Sequence, residues 1–142
     1  IETAAPTGEP RADRTRRRVT DLIDRAVAAS TLDDHATAIV ALDLALREDP
    51  ESAVAQKLIH RHQPAVLDVY QKFLGDLGNR PALAMPMHEL AGEKLDIRAA
   101  FLLSRIDGTL SFEEILDVSG MQRPEAFRHL SILLLRGILE VR

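Results

Sequence analysis

The fold of this chain is decided by residues 95–142, which read LDIRAAFLLSRIDGTLSFEEILDVSGMQRPEAFRHLSILLLRGILEVR. Apolar residues recur at helical spacing from residue 97 to residue 106, and Asp96 stands where its carboxylate can cap the first turn. Asp107-Gly108 ends this helix, because glycine adopts the left-handed conformation that follows a helix C-terminus. The residues expected to face the core are Ile97, Ala100, Phe101, Leu102, Leu103 and Ile106.

Two more helices follow in the same stretch. Ser111 and Glu114 have the S-x-x-E spacing of a capping box, which opens a helix that ends at Gly120. A third helix begins with Pro124, since a proline at the first helical position loses no hydrogen bond, and it ends at Gly137. The expected core faces are Phe112, Ile115, Leu116 and Val118 in the second helix, and Phe127, Leu130, Leu133 and Leu134 in the third.

Two short segments beside these helices have the alternation of β-strands. Residues 138–141 alternate apolar and polar side chains, and so do residues 82–87, where Pro86 confines the strand to a sheet edge or ends it early. Paired with each other, the two segments would form a small wing. The order helix, helix, glycine turn, helix, strand predicts a helix-turn-helix or winged-helix unit.

The front half of the chain predicts helical hairpins. Residues 19–30 and 34–48 read as an antiparallel helix pair, and residues 52–62 form a second pair with a helix that starts at Pro64. The expected fold class is therefore mainly α. Repeat-like helical hairpins pack on a small winged-helix-like unit that has a short two-stranded β element.

Composition divides the chain into three parts. Residues 1–13, rich in Pro, Thr, Ala and Glu, predict a flexible linker. Because the chain starts with Ile1, we interpret this linker as an interdomain tether of a longer protein, or as the product of processing a longer precursor. A repeat-like helical region spans residues 14–78, and a winged-helix-like domain spans residues 79–142, with a turn-rich connector at 76–81.

The overall composition narrows the functional classes. With 142 residues, of which 46% are hydrophobic, the chain is long enough to bury a core without a metal or a disulfide. The absence of cysteine excludes thiol chemistry and fits a reducing cytoplasm, where we expect the protein to reside. No apolar run has the length of a membrane span. The formal net charge of −4 argues against sequence-independent binding to nucleic acid.

No residue pattern in the sequence indicates catalysis, a cofactor or a metal. His60 and His62 lie on different faces if residues 52–62 are helical, so they cannot chelate one ion together. The sequence has no phosphate-binding loop, dinucleotide fingerprint or nucleophile motif. We therefore expect that the chain is not an enzyme, with no catalytic residue and no cofactor.

Residues 14–18, RTRRR, form the only basic cluster. They could contact nucleic acid or an acidic lipid, or they could be the solvated start of a helix in which Asp13, Asp21 and Asp24 offset the charge. The second interpretation is favoured, because no aromatic residue is interleaved with the arginines for base stacking.

The segment AIVALDLALREDPES, residues 38–52, resembles the second helix of a tetratricopeptide repeat. The likeness rests on small residues at Ala38 and Ala45, a larger apolar residue at Leu42, and Pro50 after the helix. It covers about one repeat, residues 19–52, and a single repeat cannot bury its own apolar face. The resemblance therefore implies that this hairpin packs on the helices that follow it.

The run FLLSRIDGTLSFEEILDVSGMQRPEAFRHLSILLLRGIL, residues 101–139, resembles the small winged-helix domains of the PqqD type. The shared features are a D-G turn, a T/S-x-E-E-I-L second helix and a third helix that closes in R-G-I/L. PqqD-like domains bind peptides along a strand edge, which implies the edge of residues 83–87 here. The FLLSRIDG segment also resembles segments of multidomain bacterial regulatory proteins that carry signalling domains.

These features together predict a non-catalytic protein–protein interaction module, an adaptor or scaffold in a bacterial regulatory protein. Its partner would be a peptide or helix of another protein, or a second copy of the chain. Ile132 and Leu135 point away from the centre of the third helix's apolar face, so either a partner or the front half covers them. The expected partner-binding residues are Leu83, Met85, Met87, Arg128, Ile132 and Leu135.

The alternative function is a winged-helix DNA-binding domain of a transcriptional regulator. Its third helix would enter the major groove, led by Arg123, Arg128 and His129. Against this, Glu125 stands among them, and residues 81–142 carry seven basic and nine acidic side chains. Protein binding is therefore favoured over DNA binding.

Overall fold

The computed structural model describes residues 10–48, 51–90 and 92–141. Within these ranges the chain forms eight helices and one two-stranded antiparallel sheet, which confirms the mainly α class with a short β element. The chain divides into two compact units between Val69 and Tyr70. Among the described residues, no helix is both long enough and apolar enough to cross a membrane.

The first unit is built from helices α1 Arg11–Thr31, α2 His35–Arg47 and α3 Ala53–Arg61, and from the first part of α4 Gln63–Leu74. Residues 11–13, which the sequence assigned to the linker, are the start of α1, while residues 1–9 lie outside the described part of the chain. Helix α1 packs on both α2 and α3. The first hairpin thus packs on the helix that follows it, as the sequence implied.

Local signals place the ends of these helices. The Asp34 carboxylate caps α2 by accepting a hydrogen bond from the Thr37 N–H at 3.3 Å, and the Ser52 hydroxyl caps α3 by accepting from the Ala55 N–H at 3.2 Å. Pro50, part of the repeat-like pattern, lies outside the described residues. The three residues of α2 on which the likeness to a tetratricopeptide repeat rests are fully buried: Ala38, Leu42 and Ala45.

The second unit contains, after the end of α4, strand β1 Pro81–Leu83, helices α5 Met87–Leu90, α6 Ile97–Ser104, α7 Phe112–Val118 and α8 Arg123–Leu135, and strand β2 Leu139–Val141. Helix α8 is its centre, since α6, α7 and β2 all pack on it. The ring of Tyr70 stacks on that of Phe127 with centroids 5.9 Å apart. Tyr70 and the core residues of α8 are almost completely excluded from solvent.

The connector at 76–81 is part of the second unit and is not the boundary between the units. The backbone N–H of Phe112 donates to the Asn79 carbonyl, and that of Glu113 donates to the Leu77 carbonyl, each at 3.0 Å. These two bonds satisfy N–H groups of the first turn of α7, which have no partner within the helix. The division between the two compact units lies inside α4.

The two strands pair in the antiparallel register Pro81↔Val141, Ala82↔Glu140 and Leu83↔Leu139, which confirms the pairing of the predicted wing. The predicted strand at 82–87 is too long, however. Met85 lies in a bend and Met87 begins α5, so the strand ends well before Pro86. A proline ring fixes the backbone angle φ and removes a donor, so Pro86 does not allow the strand to resume before α5 begins.

The caps that the sequence indicated in the second unit are present. The Asp96 carboxylate accepts from the Arg98 N–H at 2.7 Å, and this bond is the main cause that lowers the pKa of Asp96. Ser111 and Glu114 form both bonds of the capping box, at 2.9 and 3.1 Å, and the backbone N–H of Ser111 is the main cause that lowers the pKa of Glu114. Pro124 occupies the second helical position of α8, one residue later than predicted.

The predicted core face of α6 is correct at Leu102, Leu103 and Ile106 and wrong at Ile97, Ala100 and Phe101. Ile97 is 84% exposed, and Ala100 and Phe101 are also exposed, whereas the core side consists of Ala99, Leu102, Leu103 and Ile106. This helix of two turns has apolar residues on both sides, so the periodicity does not decide between its faces. The exposed ring of Phe101 lies under the Arg105 guanidinium, 5.0 Å from the ring centroid. Val118, at the end of α7, is likewise exposed, and Leu134 is half-buried.

We expect Leu130→Ala to lower the free energy of unfolding by roughly 2–5 kcal/mol, because it leaves a cavity at the centre of the second unit. Leu130 is fully buried on α8. Leu135→Ala, on the same helix but exposed, is the matched control and should cost less than about 1 kcal/mol. Urea denaturation followed by circular dichroism measures both. Equal costs would contradict the assignment of the core face.

Candidate functional site

A groove runs between α1 and α2 in the first unit, and we call it the α1–α2 groove. One section, of about 370 Å³, and a second, of about 300 Å³, share three lining residues. The shared residues are Leu22, Arg25 and Leu44; the first section adds Arg14, Arg17, Arg18 and Asp21, and the second adds Ala36, Thr37, Val40 and Ala41. The groove therefore has a charged section and an apolar section.

The apolar section comes from the outer side of α2. Val40 is 48% exposed and Leu44 is 38% exposed, although both are aliphatic side chains on a regular helix. They are four residues apart, which places them one above the other on the same side. The opposite side of α2 is fully buried. Helix α2 is thus apolar on two sides, as expected for a helix that contacts something on each of them.

The charged section comes from α1. Arg14, Arg18 and Arg25 follow one another at helical spacing along the groove, with Arg17 beside them and Asp21 as the acidic member of the lining. The Arg18 Nε atom lies 3.0 Å from a carboxylate oxygen of Glu48, and both side chains reach solvent. The lining as a whole remains positive, in a chain whose formal net charge is −4.

The basic cluster at 14–18 lies where its favoured interpretation placed it, in the N-terminal part of α1, with its arginines exposed. The Arg16 guanidinium lies 2.7 Å from the Asp13 carboxylate, so an acid of the same turn does offset part of the charge. What the sequence did not indicate is that three of these arginines line a concave surface together with Val40 and Leu44. The helix pairing that creates this surface is a tertiary property.

The predicted partner-binding residues of α8 lie on one stripe. Arg128, Ile132 and Leu135 are spaced by four and three residues, and they form the least buried side of this helix. Arg128 and Ile132 are half-buried, and Leu135 is 39% exposed. The stripe therefore offers a narrower accessible surface than the α1–α2 groove.

The predicted partner-binding residues at 83–87 do not form a continuous strand edge. Leu83 ends β1 and is half-buried, Met85 is half-buried in a bend, and Met87 is 59% exposed at the start of α5. The Ala84 N–H donates to the Ile138 carbonyl at 2.8 Å, which shows which residues of β1 bond to β2. In an antiparallel pair the bonded residues alternate, so the backbone groups of Pro81 and Leu83 point away from β2. An added strand would have to bond to these groups, and proline has no N–H to donate.

The side chains expected to lead α8 into DNA are engaged within the protein. The Arg123 guanidinium lies 2.6 Å from the Glu113 carboxylate and 3.7 Å from that of Asp117. His129 is only 5% exposed. Most of the circumference of α8 is buried, namely Pro124, Ala126, Phe127, His129, Leu130, Ser131 and Leu133. A recognition helix needs an exposed face to reach base edges, so this geometry disfavours α8 as a reader of the major groove.

His129 is the most unusual titratable residue of the second unit. Its Nε2 atom lies 4.0 Å from an Asp96 oxygen and 3.9 Å from a Glu125 oxygen, and it has no hydrogen-bond partner among the described residues. Burial lowers the pKa of His129, and the neighbouring Arg128 acts in the same direction. Glu125 forms an ion pair with Arg98. In the described part of the chain, no cluster of three or more His, Cys, Asp or Glu residues could hold a metal ion.

We expect the stability of the protein to fall as the pH is lowered from 7 to 5, in part because of His129. A histidine whose pKa is lowered in the folded state is protonated more readily in the unfolded state, so stability is lost below the ordinary value of about 6.5. One such group contributes at most about 1.4 kcal/mol per pH unit. His129→Gln should flatten the dependence in urea denaturation. A slope that is unchanged in this variant would contradict this role.

Comparison of the chain with protein families, with curated proteins and with solved structures gave no match. The surface chemistry of the chain itself is therefore the basis on which a function is proposed.

Proposed function

We propose that this chain is a non-catalytic protein–protein interaction module, an adaptor in a bacterial regulatory protein, and that the α1–α2 groove is its docking surface. One observation carries the proposal. Val40 and Leu44 are left accessible on the outer side of α2, where they line a groove with arginines at one end. A concave surface with apolar walls and a few polar groups is the usual form of a binding site.

The construction of the groove supports this function. Both walls are regular helices, and α2 is held in place by a core side that solvent does not reach. A site on rigid helices loses little conformational freedom when a partner binds. Full burial of an aliphatic side chain contributes about 1.5–3 kcal/mol. Covering the accessible parts of Val40 and Leu44 would therefore contribute usefully to the affinity.

The α8 stripe of Arg128, Ile132 and Leu135 is a weaker candidate for the same function. Two of its three residues are already half-buried, so less apolar area is left for a partner to cover. The edge of β1 is weaker still, because it has three residues and begins with a proline. Helix α2 offers both more accessible apolar surface and a concave shape.

Selection of helical peptides from a displayed library on the purified chain tests this function. We expect the enriched peptides to lose at least about tenfold in affinity for Val40→Glu, because a charge then occupies the apolar section. Val118→Glu is the matched control, since Val118 is 50% exposed but lies on α7 in the other unit. Circular dichroism confirms that both variants fold. Enriched peptides that bind the Val40 variant as well as the wild-type chain would overturn the proposal.

We also expect the chain to show no saturable binding to duplex DNA at about 150 mM salt, where weak phosphate contacts are screened. The expectation rests on the internal ion pairs of Arg123 and the burial of His129. Fluorescence anisotropy with labelled duplexes of mixed sequence measures it. Sequence-selective binding that is lost in Arg128→Ala would instead support the winged-helix DNA-binding alternative.

A further inference from the structure

We infer that the partner of the α1–α2 groove is an acidic amphipathic helix. It would place its apolar stripe on Val40 and Leu44 and its carboxylates against the arginines of α1. The inference rests on the proposed docking function and adds the chemical class of the partner. It follows from the separation of charge and apolar surface along the groove.

The distribution of charge in the groove selects an anion. All of its charged lining residues come from α1, and they are four arginines and Asp21. The part of α2 that lines the groove carries no charged side chain. Glu48, just beyond the end of α2, already pairs with Arg18. Arg14 and Arg17 also have interactions within the chain, so partner carboxylates would add to these contacts or replace them.

Exchange of the contact between Arg18 and Glu48 is easy because this ion pair is exposed. The side chains of Arg18 and Glu48 are 58% and 30% accessible, and an exposed pair of this kind contributes little to stability. An arginine guanidinium has five donors in a planar fork, so it can bind a second carboxylate with a separate edge. Arg18 can therefore bind a partner carboxylate while it keeps its contact with Glu48.

The shape of the groove selects a helix as the occupant. Residues 14–25 of α1 extend over about 16 Å at 1.5 Å per residue, which corresponds to three turns of a partner helix. The apolar section is lined by the buried Leu22 and Ala41 and by the accessible Val40 and Leu44, and it fits a ridge of aliphatic side chains. A phosphate backbone or a lipid headgroup would satisfy the arginines but would leave this apolar section uncovered.

Three synthetic helical peptides of about 16 residues test the inference. They share one apolar stripe and carry Glu, Gln or Lys at every polar position that would face α1. We expect the Glu peptide to bind about tenfold more tightly than the Gln peptide in fluorescence anisotropy, since several exposed ion pairs act together. The Lys peptide should bind more weakly than both, and the Glu preference should shrink as salt is raised.

Charge reversal in the chain tests whether the arginines of α1 select the peptide. The double variant Arg17→Glu/Arg25→Glu should lose the preference for the Glu peptide and bind the Lys peptide better than the wild-type chain does. Lys57→Glu/Arg61→Glu on α3 is the matched control, because both residues are exposed and the net change of charge is the same.

Removing the acidic member of the lining with Asp21→Asn should strengthen binding of the Glu peptide by about two- to fivefold.

The possible results separate this inference from the proposed function. Equal binding of the three peptides, with loss in Val40→Glu, would overturn the acidic partner while the docking function stands. Binding of DNA or of vesicles with anionic lipids that is abolished by Arg17→Glu/Arg25→Glu, with no preference among the peptides, would overturn the inference in favour of those ligands. A Glu preference that persists in the double variant would show that the arginines are not the selective element, and would also overturn it.

Discussion

The close approach of α1 and α2 is the constraint on which the candidate site depends. Small residues at the contact, among them Ala38, Ala41 and Ala45 of α2 and Ala26 of α1, are buried and let the helix backbones come together. Their packing fixes the rotation of both helices. With the alanines facing inward, Val40 and Leu44 lie on the outer side of α2, and the arginine row of α1 lines the same groove.

In the second unit, the central helix α8 uses its apolar and charged residues mainly for contacts within the unit. Helix α8 is buried on most of its circumference, and its charged residues are largely used within the unit, as the pairing of Arg123 with Glu113 shows. Arg136 likewise contacts Glu93 and the Lys94 carbonyl, which holds the segment before α6 against the end of α8. These contacts stabilise the unit and leave little exposed surface on α8. The first unit, in contrast, leaves both apolar and cationic side chains accessible along one groove.

The net charge of the chain does not describe the local charge of the α1–α2 groove. A formal charge of −4 suggests that anionic ligands are repelled, but electrostatic interactions in water are screened over about 8 Å at physiological salt. The local lining of the groove therefore matters more to a bound helix than the acids elsewhere in the chain. Four arginines along one helix make this section of the groove positive, although the chain as a whole is acidic.

The sequence by itself determined the features that depend on near neighbours in the chain. The capping box of Ser111 and Glu114, the cap at Asp96 and the turns at Gly108 and Gly137, where φ is +90° and +78°, are set within a few residues and were predicted. Ala38, Leu42 and Ala45, the residues of α2 that the sequence singled out by their spacing, are also fully buried.

Tertiary structure alone decided the core face of α6 and the existence of the α1–α2 groove. Helix α6 has apolar residues on both sides, so only its packing against α8 determined that Ala99 is buried and Ile97 exposed. The groove is lined by residues from two helices whose relative rotation and distance no local pattern specifies. A surface formed between helices arises from their packing, and it becomes visible only when that packing is known.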